Sequence, residues 1–333
     1  MCALERPTVY GLVVSLDRGY PLVRLDLTVL LDSSYPLVCF TGAKGDEPHE
    51  IRAQHSIELV KNAAVRATIG DVVELGFPPE QDTPLITTIA PRRTALVRRS
   101  MVESIHEGAG RFEEQVLAAN MDIVFVVTAL GKRPIDGDYL ARQLVMAHQS
   151  GADVALILAK ADQAAHLDTD LASATLIASG CPVIIESAVT GEGLATIAAL
   201  LAEHKIGVLL GRSGVGKSTI INELLGAPLL KTGSVRARDR GGRHTTVARR
   251  LVMLPQGGAL IDTPGLRSLG LYGAREGLAR TFPDIEAYAA TCYYRDCTHS
   301  SEPDCAAKEA VAAGALDARR LSSYQLIYPE VVD

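Results

Sequence analysis

The stretch Gly211-Arg-Ser-Gly-Val-Gly-Lys-Ser-Thr219, GRSGVGKST, decides the fold. Its first eight residues satisfy G-x-x-x-x-G-K-[ST], after the apolar run IGVLL and before the helix-like STIINELLG. The glycines let the backbone curl, so that N–H groups along Gly211, Arg212, Ser213, Gly214, Val215 and Gly216 can face phosphate oxygens. The helix that opens at Lys217, Ser218 and Thr219 adds its favourable N-terminal field. Lys217 can reach the β- and γ-phosphates, and the Ser218 hydroxyl can ligate Mg²⁺. This pattern predicts a nucleoside triphosphate site, with more than two hundred residues written ahead of it.

Working downstream, the apolar strand ALI ends in Asp262-Thr-Pro-Gly265. A carboxylate at that strand end can hold Mg²⁺ through water, and the Gly265 amide can sense the γ-phosphate. If the base is guanine, an aspartate should accept from its ring N–H and exocyclic amine, a pair that adenine lacks. Nothing beyond Gly265 supplies such an element. Upstream, ILAKAD ends a strand in Ala159-Lys160-Ala161-Asp162, and IIESAVTGEGL carries Ser187-Ala188. Both precede the phosphate loop, so the base-binding half is written first. The domain is circularly permuted, which closely spaced termini make tolerable.

The rest of the chain falls into two flanking modules. Residues 8–90 are short runs rich in Val, Leu, Ile and Tyr, broken by Gly, Asp and Pro; TVYGLVVSLD, YPLVRLDLTVLL, YPLVCFTG, GDVVELGF and PLITTIA read as strands. They predict a small β-barrel, with an OB-like fold leading. After the arginine-rich joint PRRTALVRR at 91–99, apolar strands at 122–130, 153–162, 181–188 and 206–214 alternate with helix-like stretches, which means a mainly parallel covered sheet. LVMLPQGGALIDTPG adds one or two strands, and the chain ends in the helix-like EAVAAGALDARRLSSYQLI. The expected division is an OB-like barrel over 1–95, a permuted α/β P-loop domain over 96–275 and a mainly helical metal-binding domain over 276–333.

Cys292-x₄-Cys297-x-His299-x₅-Cys305 offers three thiolates and one imidazole, the donor set of a closed tetrahedral Zn²⁺ site. With no position left for water, its role is structural. The net charge of −6 excludes a generic charge-driven nucleic-acid binder, and residues 1–95 hold nine Lys/Arg against twelve Asp/Glu. Local basic patches remain at 91–99 and at 234–250, where six arginines fall within SVRARDRGGRHTTVARR. No apolar run is long enough to span a membrane, and the N-terminus lacks a secretory pattern, so a cytoplasmic, monomeric protein is expected.

Taken in order, EQVLAANMDIVFVVTAL, AKAD, SAVTGEGL, GRSGVGKST, GGRHTT, DTPG and CYYRDCTHSSEPDC resemble the RsgA (YjeQ) family of circularly permuted GTPases of small-ribosomal-subunit biogenesis. The resemblance covers nearly the whole chain and is least distinct in the N-terminal segment. It implies GTP hydrolysis, Mg²⁺ with the nucleotide, and the small subunit and its rRNA as partner. It also implies that His244 of GGRHTT positions the attacking water, while Thr245 or Thr246 completes the Mg²⁺ site. Arg236, Arg238, Arg240 and Arg243 could then pair with RNA phosphates.

Two departures stand out. Ala159 replaces the asparagine of N-K-x-D, which ties the base loop to the phosphate loop; guanine selectivity should survive on Asp162. Leu266 stands where Ras-type GTPases carry a water-orienting glutamine, so basal turnover should be slow. The alternatives are an RNA-binding factor gated by nucleotide with negligible turnover, and an ATP-using P-loop enzyme, which Asp162 and Ser187-Ala188 disfavour.

Overall fold

The computed structural model describes residues 9–17, 20–25, 49–61, 66–79, 81–102, 111–178, 180–202, 204–230, 249–263, 270–271 and 273–332. The expected strand YPLVCFTG and the residues His244, Thr245, Thr246, Gly265 and Leu266 lie outside them. So do Arg236, Arg238, Arg240 and Arg243.

The N-terminal strands are β1 (Val9–Asp17), β2 (Tyr20–Arg24), β3 (Glu50–Arg52), β4 (Gln54–His55), β5 (Val72–Gly76) and β6 (Leu85–Ile89), with the short helix α1 (Ile57–Lys61) after β4. β1 pairs antiparallel with β2 and β5; β2 pairs with β3, β5 with β6, and β6 runs parallel to β4. Since only Ala53 separates β3 from β4, the path closes on itself. Alternate residues of these strands, among them Val9, Val13, Val23, Val73, Leu75 and Ile86, fill the enclosed core.

The arginine-rich joint is built into regular structure. Ala95–Val102 forms β7, paired antiparallel with β8 (Arg111–Ala119) in a two-stranded ribbon. Just before it, Arg92 makes two 2.7 Å bonds to the buried Asp71, and Arg93 lies 3.3 Å from Asp122. Arg92 is thus tied into the barrel and Arg93 reaches the start of the next module, so neither stands free.

β9 (Ile123–Ala129), α2 (Gly137–Gln149), β10 (Asp153–Ala159), α3 (Leu167–Ala178), β11 (Val183–Ile185), α4 (Leu194–Leu200), β12 (Ile206–Leu210) and α5 (Lys217–Leu225) follow the predicted alternation. β13 (Arg249–Met253) and β14 (Ala259–Asp262) complete the sheet, in the order β11-β10-β9-β12-β14-β13. All neighbours are parallel except β13, which runs antiparallel to β14. The central strands β9, β10 and β12 are almost wholly apolar because helices cover both faces. β13 also pairs with β1 (Ser15↔Arg250, Leu16↔Arg249), which makes the barrel continuous with this sheet.

The C-terminal residues form α6 (Arg275–Thr281), α7 (Pro283–Ala289), α8 (Ala306–Ala312) and α9 (Ala318–Val332). The terminal helix-like stretch breaks in two at Gly314, whose φ of 73° favours glycine and ends α8. α6 crosses α2 at Gly277, where a Cβ would sit 2.2 Å from the Val145 carbonyl oxygen. Phe282, Ile285, Tyr324 and Ile327 join Leu144, Leu156 and Leu158 in one buried cluster, so this segment borrows its core from the sheet. The Arg320 guanidinium, 4 % exposed, bonds to Asp284 and to the carbonyls of Leu176, Ile177 and Thr281.

Candidate nucleotide site and metal knuckle

The central strand β12 is buried at every position and delivers the phosphate loop to the sheet's C-terminal edge. Gly211 lies so close to β9 that a Cβ would fall 2.5 Å from the Val127 carbonyl oxygen. Gly214 and Gly216 adopt φ of 81° and 120°, conformations that other residues resist. Lys217, almost wholly buried, donates to the carbonyls of Gly211 (2.8 Å) and Arg212 (3.0 Å). Its amine thus spans the inside of the loop, and burial lowers its pKa against the opposing pull of Asp262. Burial in turn raises the Asp262 carboxyl, with Lys217 opposing. A buried amine and a half-buried carboxyl of opposite sign therefore face the same region from the start of α5 and the end of β14. Thr263 anchors that strand end by donating to Leu209 O at 2.8 Å.

The permuted base loops arrive at the same edge. Ser187 donates to Asp162 Oδ1 at 2.8 Å, which aims an otherwise exposed carboxylate. Lys160, held at φ 63°, reaches across and donates from Nζ to Gly214 O at 2.7 Å. The link between base loop and phosphate loop that Ala159 cannot make is therefore supplied by its neighbour. Ala159 itself is buried, and the Cβ position built on Gly216 lies 3.8 Å from its methyl. Ala188 is half-buried beside Ser187.

Three residues at this edge were absent from the sequence reading. The Arg212 guanidinium stacks 3.6 Å above the Tyr139 ring and lies 3.8 Å from Asp136 Oδ2, so the α2 start braces the loop. No spacing rule links residues 136–139 to 212. Glu186, next to Ser187, is 2 % exposed; its sequence position offered a signal, since a charged residue directly follows the apolar strand β11.

At the C-terminal end, Cys292, Cys297, His299 and Cys305 bring one ligand atom each to within 4.8 Å of one another, and three of the four are buried. His299 Nδ1 lies 3.3 Å from Cys305 Sγ and 3.6 Å from Cys292 Sγ. Burial and the neighbouring thiols push the Cys297 thiol up to about 12, and burial pushes the His299 imidazole down. Such crowding of buried thiols is unfavourable unless a cation deprotonates and neutralises them, so this set could hold a metal. Glu302 braces the turn by accepting from the Thr298 hydroxyl (2.7 Å) and from the N–H groups of Thr298 and Ser300, and these bonds hold its carboxyl at about 2. Gln325 on α9 donates to His299 O.

The sequence model of the RsgA GTPase family matches residues 89–272, more than half the chain. The chain belongs to the RsgA GTPase family. It is a GTPase of that family, a group whose activity implies bound nucleotide and Mg²⁺. Among RsgA relatives, the small ribosomal subunit biogenesis GTPase RsgA of Streptomyces avermitilis is 42 % identical over 255 residues, 76 % of this chain and 66 % of that protein. The RsgA of Syntrophotalea carbinolica is 38 % identical over 312 residues, 92 % of this chain and 83 % of its own. The fold is shared with the crystal structure of YjeQ from Thermotoga maritima, at a TM-score of 0.68 and 23 % identity over 98 % of this chain and 99 % of that one. It is shared too with YloQ, a circularly permuted GTPase, at a TM-score of 0.62 and 21 % identity over 99 % and 97 %. Among the described residues no helix is long and apolar enough to cross a membrane.

Proposed function

We infer that the chain hydrolyses GTP to GDP and phosphate as a checkpoint in late maturation of the small ribosomal subunit, and that the subunit stimulates it. The observation that carries this reading is the convergence of Asp162, Ser187, Lys160 and Gly214 on one edge. These residues come from separate base and phosphate loops of a permuted domain and match the needs of a guanine nucleotide. The names of the relatives supply the ribosomal partner.

In this reading the N–H groups of Gly211 to Gly216 cradle the phosphates, and Lys217 leaves its two carbonyl partners for the β- and γ-oxygens. Ser218 and Asp262 hold Mg²⁺, which supplies charge neutralisation on the phosphates; Thr245 or Thr246 completes its shell. His244 orients the attacking water in place of the glutamine that Leu266 replaces. Asp162 selects guanine. Cys292, Cys297, His299 and Cys305 hold one structural Zn²⁺, a choice that the three thiols and one imidazole favour. The barrel of residues 1–95, the permuted domain of 96–275 and the zinc segment of 276–333 act together on rRNA, in a cytoplasmic monomer.

The test is GTP hydrolysis with and without purified small subunits, with ATP as the control nucleotide. Stimulation specific to GTP is expected. Unstimulated hydrolysis with intact GTP binding would instead favour a nucleotide-gated RNA-binding factor.

A further inference from the structure

Glu186 directly follows β11 and is 2 % exposed, yet the reading above gives it no part in the nucleotide site. Burying a carboxyl is costly, so the groups it meets show what the cost is spent on. Three contacts with the base loop close on this one residue. Glu186 N–H donates to Leu158 O at 2.9 Å, and Ala161 N–H donates to Glu186 O at 2.9 Å. Between them, the carboxyl accepts from the backbone N–H of Lys160. A carboxyl offers an accepting oxygen with or without its proton, so this contact requires neither form in particular.

Lys160 is where the loop needs holding. Its φ of 63° and ψ of 44° lie in the left-handed region, which a residue with a Cβ keeps only where its surroundings impose it. From that turn Nζ reaches Gly214 O at 2.7 Å, and Asp162 comes within 2.8 Å of Ser187 Oγ, the hydroxyl next to Glu186. Residues 186 and 187 thus form the template on which the base loop is shaped. Register explains how a long side chain fits there. Ile157 lies opposite Ile184 and Leu158 opposite Ile185, so the parallel ladder continues to Ala159 beside Glu186. A methyl at 159 leaves room for the longer neighbour.

We propose that Glu186 is a positioning residue for guanine recognition: its carboxyl fixes the left-handed turn at Lys160 and thereby the aim of Asp162. Lys160 makes the tie to the phosphate loop that Ala159 cannot, and Glu186 holds Lys160 so that it can. The residue acts through Lys160 and needs no contact with the nucleotide. The proposal rests on the reading of Asp162 as the guanine contact.

The test compares two neutral replacements of similar length. Glu186→Gln keeps an accepting oxygen for the Lys160 N–H, and Glu186→Met does not. Both remove a buried carboxyl whose Oε1 has no hydrogen-bond partner, so both should fold, as melting without nucleotide will show. Glu186→Ala, which also lacks an acceptor, gives the same comparison without the bulk of methionine. Affinities are measured for GDP, for inosine diphosphate, which lacks the exocyclic amine that Asp162 reads, and for ADP. Wild type should bind GDP about tenfold more tightly than inosine diphosphate, the worth of one hydrogen bond to a carboxylate. Glu186→Gln should keep that margin, while Glu186→Met and Glu186→Ala should reduce it to about twofold. A merely structural role would weaken both nucleotides alike and leave their ratio unchanged, which would overturn the proposal. Loss of the margin in Glu186→Gln would overturn it too, since charge and not the accepted bond would be the cause. So would equal binding of GDP and inosine diphosphate by the wild type. A wild type that bound GDP no better than ADP would instead sink the guanine reading itself.

Discussion

The phosphate loop and the metal knuckle solve opposite problems. The loop is a backbone structure on the most buried strand of the sheet; its side chains matter at Lys217, while its shape comes from glycines and from the closeness of β9. The knuckle is a side-chain structure with little regular backbone, in which four candidate ligand atoms lie within 4.8 Å of one another. One site takes its shape from backbone packed on the sheet. The other, in the zinc reading proposed above, takes its shape from the ion. Loss of ligand should therefore leave the first folded and undo the second.

Metal removal tests that contrast most strongly. In the zinc reading proposed above, stripping the protein with a strong chelator, or replacing Cys297 by Ser, should unfold α8 and α9, since a structural zinc contributes on the order of 10 kcal/mol. Loss of hydrogen-exchange protection confined to the C-terminal helices, with GDP still bound, is the expected pattern. Unfolding that spread to the whole sheet would mean that the shared core makes the two regions one cooperative unit.

The next effect is the joint between them. Arg320→Ala strands Asp284 and three backbone carbonyls, and should cost about 3–5 kcal/mol in a denaturant titration. In the loop, Lys217→Ala should reduce GTP hydrolysis on the order of 100-fold, about 2.7 kcal/mol, without changing the melting temperature by more than a few degrees. A large loss of stability there would show that the lysine's two carbonyl bonds hold the loop together, contrary to the backbone argument.

The smallest effect is one of pH. His148 on α2 is buried, 2.8 Å from Thr281 Oγ1 and 3.4 Å from Cys181 Sγ, and burial lowers its pKa from 6.5 to about 4. The unfolded chain takes up the proton first, so stability is full above pH 6.5 and falls as pH drops towards 4. The loss at pH 5 should be about 2 kcal/mol. His148→Gln should flatten that acid limb and leave stability at pH 8 nearly unchanged.

Much of this was legible because the decisive signals are local. Glycine spacing, a lysine after the last glycine and an aspartate at a strand end each define a short segment, and the alternation of apolar strands with helices follows from burial on both faces. What the sequence left open lies where distant residues decide. The segment at 91–99 reads as an arginine-rich joint with a basic patch, and only the fold shows that Asp71 and Asp122 claim its first two arginines and that its remainder pairs with β8. The helix-like last stretch is helical on both sides of Gly314.

By itself the sequence determined the chemistry available: a phosphate loop, an aspartate placed to suit a guanine base, and three thiols and an imidazole in one short run. It also determined that the nucleotide domain is permuted, because the order of motifs is a property of the chain alone. The tertiary structure decided how these parts are joined. It showed that Lys160 supplies the tie Ala159 lacks, that Arg212 rests on Tyr139, and that Glu186 lies buried beside Ala159. Such relations depend on strand register and on which faces meet, and these are settled only when residues far apart in the chain compete for the same buried space.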